Sequence, residues 1–157
     1  MAKIKSLTLN IFADYFQFYI QDEAAAGDLS QSWDEEAVAR LFAIAPGTVG
    51  IGTVRNTDVP IVMEIHDHEP RDDLSEWDHV VEASLDVPSG KIVIAGCTDY
   101  FPDAMRLDVP PGCYRVRVSY GSLDALSEDK LSGDDHYRLQ LWPGIKDNPK
   151  ILKQRPK

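Results

Sequence analysis

The chain is poor in the residues on which small proteins usually build crosslinks or cofactor sites. Its 157 residues include two cysteines, Cys97 and Cys113, and neither belongs to a CxxC pair. That spacing excludes the common zinc-ribbon and dithiol redox motifs. No apolar run approaches the roughly 18 residues that would suggest a membrane span. Near the start, Asn10, Asp14 and Gln17 interrupt what would otherwise be the apolar core of a signal peptide. The expectation is a cytoplasmic chain, not bound to membrane, whose thiols stay free.

Phosphate-binding signatures are missing too. There is no GxGxxG, no Walker loop and no GxSxG elbow. Gly47, Gly50 and Gly52 fall inside a strand-like pattern, where a missing side chain lets another element cross closely. Positive charge is scarce: 16 Lys and Arg stand against 26 Asp and Glu, for a net charge of −10. Such a balance repels phosphate backbones and anionic headgroups, so it argues against general nucleic-acid binding and membrane docking. It suits solubility, or attraction to a basic protein.

What is present is period-two alternation. Hydrophobic residues make up 43% of the chain, enough for one ordinary domain with its own core. Leu7, Leu9 and Ile11 alternate with polar neighbours, and a second alternation follows the Ala13-Asp14 break. Val59 to His66, Trp77 to Val87 and Lys91 to Gly96 read as strands. Gly112 to Gly121 is the cleanest, with Tyr114, Val116, Val118 and Tyr120 on one face and Arg115 and Arg117 on the other. His136 to Trp142 sets Tyr137, Leu139 and Leu141 inward, leaving Arg138 outward. Arg115, Arg117 and Arg138 are expected on solvent-side faces, in cross-strand ion pairs.

One segment breaks the pattern. Ser32 and Glu35 form a capping box, and Val38, Leu41 and Phe42 share a helical face before Pro46-Gly47. The reading is a helix near residues 33–45. No strand–helix–strand alternation or internal repeat appears. The fold expected is mostly β: an antiparallel β-sandwich over residues 1–144 with that one helix, then a basic, loosely ordered tail over 145–157.

Chemistry-bearing constellations are few. His66 and His68 lie two residues apart, so on a strand both would reach one ion. A cupin-like metal-dependent enzyme built on this His-Asp-His element is the enzymatic alternative, with His136 as its late third ligand. The plainer reading is two histidines at a strand end among acids. Cys97 has no base placed beside it by sequence and reads as a small core residue. No motif calls for a cofactor. The acids cluster instead: Glu64 to Asp86 carries nine against the single Arg71, mostly in loops or element ends.

Four strings, in order, complete the reading: Tyr15-Phe16-Gln17-Phe18, Trp33-Asp34-Glu35-Glu36-Ala37, Arg55-Asn56-Thr57, and Leu107-Asp108-Val109-Pro110-Pro111-Gly112-Cys113-Tyr114. Together they resemble the competence-associated nuclease inhibitor family, also called competence protein J or Nin, over about residues 6–142. The acidic loop 67–76 and the basic stretch after Pro143 depart from that pattern. The resemblance implies a small acidic protein without catalysis of its own that binds a nuclease. The function expected is therefore a non-enzymatic binding protein occluding a basic partner, or failing that a structural or interaction protein. Asp72, Asp73, Glu76 and Asp78 are the candidate contacts, with Tyr15 and Trp33 as aromatic anchors.

Overall fold

The computed structural model describes residues 3–26 and 28–155. Eleven strands form two sheets: β1 (Lys3–Phe12), β2 (Gln17–Asp22), β3 (Phe42–Ala45), β4 (Thr48–Gly52), β5 (Asp58–His66), β6 (His79–Val87), β7 (Lys91–Gly96), β8 (Met105–Asp108), β9 (Gly112–Gly121), β10 (His136–Pro143) and β11 (Lys150–Lys153). The larger sheet has the order β1-β5-β10-β9-β6-β11 and the smaller β3-β4-β2-β7-β8. All pairings are antiparallel except β5 with β10. That exception has a topological cause. Residues 67–78 carry the chain back along the sheet, so β5 and β6 run the same way. Strand β9 opposes β6, and β10 opposes β9, which leaves β10 parallel to β5.

The core lies between the sheets and follows the alternation. Ile61, Met63, Val81, Leu85, Val116, Val118, Leu139 and Leu141 meet Phe18, Ile20, Phe42, Ile51, Ile92 and Ile94 from the opposite sheet. Removing these side chains from water supplies the main driving force, about 1.5–3 kcal/mol for each large one.

The helix is shorter than its sequence pattern suggests. Helix α1 spans Glu35–Arg40, capped by Asp34, whose Oδ1 accepts the Ala37 amide at 2.8 Å. Leu41 ends it in the left-handed region at φ 59°. Phe42–Ala45 then forms β3, and Pro46-Gly47 turns the chain into β4. Val38, placed on the expected buried stripe, is 57% exposed. The residues 42–45 satisfy period two as well as period 3.6, and pairing with β4 buries Phe42 while bonding its backbone. A six-residue helix has no comparable stability alone. Gly50 and Gly52 allow the crossing: a Cβ at Gly50 would meet Leu29 and Trp33, and one at Gly52 would meet Leu41.

The outer face of the larger sheet is covered, which revises the expectation for its arginines. Arg117 is 2% exposed; its Nε lies 2.9 Å from Glu82 Oε2 and its Nη1 donates to Pro70 O at 3.1 Å. Its guanidinium sits 5.0 Å from the Trp142 ring centroid. Arg138 makes a two-pronged pair with Asp73, at 2.8 and 2.6 Å, above the Trp77 ring. The cover comes from residues 67–78 and from the stretch expected to be a loose tail. Within that stretch, β11 pairs with β6, Asp147 exchanges hydrogen bonds with Ser84, and Lys153 Nζ donates to Leu74 O. Ile151 and Leu152 give this basic segment enough strand character to extend an open edge; Lys157 lies outside the described residues.

His79 is buried at the margin of this layer. Its Nε2 is 2.7 Å from Arg40 O and its Nδ1 is 3.2 Å from the Arg155 amide, which satisfies one neutral tautomer. Burial, with Arg155 nearby, lowers its pKa below the ordinary 6.5. As pH falls through that ordinary value the unfolded chain takes up the proton first, so stability present above it is lost. Melting curves at pH 7.5 and 5.5 are expected to show a larger drop for the wild type than for His79→Gln; equal drops would refute this role. Glu82→Gln removes the central carboxylate from Arg117 and Arg115 and is expected to cost about 3 kcal/mol in urea denaturation. A loss below about 1 kcal/mol would mean that Glu69 substitutes for it.

Candidate partner-binding surface

The strand registers gather one set of loops at a single end of the sandwich. Phe12 is level with Asp58, His136 with Gly121, and His79 with Tyr120; in the other sheet Gln17 is level with Gly52 and Phe18 with Gly96. Residues 13–16, 53–57, 97–104 and 122–135 therefore share that end.

A buried polar cluster ties these loops down. Tyr137 Oη donates to Asp135 Oδ2 at 2.6 Å and accepts the Val54 amide at 3.1 Å. Arg55 Nε lies 2.8 Å from Asp135 Oδ1, and its Nη2 donates to Asp135 O. Asp135 is fully buried. Burial, helped by the Asp135 hydrogen bond, pushes the Tyr137 phenol far above its usual range, so it stays a donor. Asn56 N reaches Lys130 O, and Thr57 Oγ1 donates to Leu131 O. Neither Asp135 nor this cluster is visible from sequence, where Asp135 is one acid among many. Its only signal is Arg55, a base at a strand end with no acid beside it.

Tyr15 and Phe16 project from this end. Both have φ 60°, and they are 68% and 40% exposed. Phe16 N is shared between Ala13 O and Asn56 Oδ1, while Thr53 N donates to Phe16 O at 2.8 Å. Beside them lies a cavity of about 230 Å³ bordered by Trp33, Val38 and Leu41. The structure thus brings Tyr15 and Trp33, both singled out in sequence, around one apolar hollow. On its far side Trp33 also borders a groove of about 620 Å³ floored by Gln17, Tyr19 and Gln21. Burial first, then Asp99, raises the Tyr19 phenol pKa there.

The four acids singled out with them belong to the crossover 67–78 and are divided among tasks. Asp72 and Asp73 lie against the outer face of the larger sheet, whereas Asp78, just before β6, is at the loop end. Asp73 is held by Arg138, whose hydrogen bonds set its carboxyl below the usual range. Asp78 Oδ2 accepts the Leu123 amide at 2.9 Å. Asp72 and Glu76 are exposed.

The histidines do not converge. His66 Nε2 is 2.9 Å from Glu64 Oε1, and exposed His68 is 2.6 Å from Asp67. His136 lies at the other end of β10, level with Pro60, six residues from His66 along β5. That separation is roughly 20 Å at strand rise. Among the described residues no group of three or more His, Cys, Asp or Glu is placed to share a metal ion. Cys97 is exposed rather than a core residue, and partial desolvation of its sulfur, then Asp14 and Asp99, raise its thiol pKa, the opposite of what activates a thiolate. No described helix is long and apolar enough to cross a membrane.

The two-sheet β fold is one that proteins of known structure share. The chain shares it with ComJ from Bacillus subtilis, an inhibitor of the DNA-degrading activity of NucA, at a TM-score of 0.70 and 20% identity over 91% of this chain and 100% of that one. It also matches a protein described as crocagin biosynthetic gene J, at a TM-score of 0.60 and 18% identity over 92% of this chain and 100% of that one. At those identities the likeness is one of fold. No protein-family model and no curated protein matches the sequence.

Tyr137→Phe removes the hydroxyl that joins Val54 to Asp135. It is expected to cost about 1–3 kcal/mol and to speed amide exchange at Val54, with little change at Val118. Unchanged exchange at Val54 would show that Arg55 alone holds the loop.

Proposed function

We propose that this chain is a non-enzymatic, inhibitor-like binding protein whose partner is a basic protein of the nuclease class. The observation that carries the reading is the fold shared with the whole length of ComJ. It is supported by a net charge of −10, with exposed Asp58, Asp99, Asp103, Asp124 and Asp134 at the loop end. A groove that binds DNA is cationic, and a surface rich in carboxylates competes for it by Coulomb attraction and steric cover. In this reading the chain does no chemistry: it contributes charge and shape, and turnover belongs to the partner. The reading places it in the cytoplasm, where the free thiols of Cys97 and Cys113 stay reduced.

The test uses NucA as the probe, with DNA hydrolysis and calorimetric titration at low and high salt. The expected outcome is inhibition, with affinity falling by about tenfold or more between 50 and 500 mM salt as exposed charge pairs are screened. Full nuclease activity in the presence of a large excess of this chain overturns the assignment.

A further inference from the structure

We infer that the Tyr15–Phe16 turn is the apolar anchor by which the loop end docks on a basic protein, with the Trp33–Val38–Leu41 hollow receiving one of that partner's side chains. This rests on the inhibitor reading and assigns it a surface. Two consecutive aromatic residues occupy the left-handed region, which bulky side chains rarely enter. Their conformation is held by Ala13 within the turn and by Asn56 and Thr53 from the neighbouring loop. The result places both rings toward solvent, while Ala13 and Phe18 on either side go to the core. The turn carries the chain from β1 in the larger sheet to β2 in the smaller, and that crossing does not call for aromatic rings at its two exposed positions. Strain held in place at an exposed apolar turn points to recognition.

The hollow beside the turn has the complementary shape. Val38 and Tyr15 border it and are largely exposed, so it is apolar yet open. The elements that flank it set the sign of the partner. Asp34, Glu35 and Glu36 lie on α1 and its cap, Asp58 begins β5, and exposed Asp99 belongs to the loop whose Cys97 thiol meets Asp14 O. The nearby arginines are already engaged, Arg55 by Asp135 and Arg40 by Phe42 O and Glu36. An apolar centre flanked by carboxylate-bearing elements fits a cationic surface with a protruding apolar side chain. A second copy presenting the same end would set carboxylate against carboxylate.

Tyr15→Gly with Phe16→Gly removes both rings and suits the backbone, since glycine adopts positive φ freely. NucA is the probe. The double variant is expected to melt near the wild-type temperature and to bind at least tenfold more weakly. Val38→Lys, at an exposed position, places a cation in the hollow and is expected to weaken binding similarly, which keeps the test valid if the glycine variant folds poorly. Wild-type affinity in both variants overturns the anchor while leaving the inhibitor reading intact. No NucA binding by the wild type overturns both. A dimer in sedimentation that the same variants abolish overturns the assignment to a basic partner, with a second copy as the occupant.

Discussion

Arg117 is the constraint around which the larger sheet is organised. A guanidinium 2% exposed on the face away from the core must be supplied with carboxylate and carbonyl partners. Glu82 supplies one from the neighbouring strand; Pro70 and Glu69 supply others from the crossover. Holding that crossover against the sheet gives residues 67–78 their path, and that path sets the direction of β6. From it follow β9, β10 and the single parallel pairing. Segment 145–153 finishes the cover by engaging Ser84 and Arg115 through Asp147. The acids of the crossover are therefore partly structural, and Asp73 in particular is occupied with Arg138.

The two ends of the sandwich differ in how they are held. At one, Asp22 is buried and accepts from Ala24 and from the Ser89 amide and hydroxyl, closing the β6–β7 turn against the end of β2. At the other, Asp135 performs a comparable task with Tyr137 and Arg55, but the loops around it remain largely exposed and carboxylate-rich. Buried aspartates fasten both ends; only the second combines its fastening with outward aromatic rings. The loop end thus combines a buried fastening with an exposed apolar turn.

Helix α1 shows where local pattern and tertiary context part. Val38, Leu41 and Phe42 are helically spaced, yet Phe42 and Ile44 are equally spaced for a strand. The choice fell to β4, which offers backbone partners and a core place for Phe42 that a longer helix could not. The basic segment after Pro143 is a parallel case: its lysines read as solvated, while the open edge of β6 was not visible from composition.

The sequence by itself determined the strand faces of the larger sheet, because a period of two with one apolar face admits no one-residue slip without turning Val116, Val118 and Tyr120 away from the core and Arg115 and Arg117 into it. It determined the glycines at close crossings and the overall negative charge as well. Only tertiary structure decided which acids are free. Asp72, Asp73, Asp78 and Asp135 are chemically alike in sequence, and their roles diverge because a carboxylate's partner is set by which loop folds over which face. It also decided that Tyr15 meets Trp33 around one hollow while His66 and His136 stay apart, since distance across a sheet depends on strand order and register, which residue spacing along the chain does not encode.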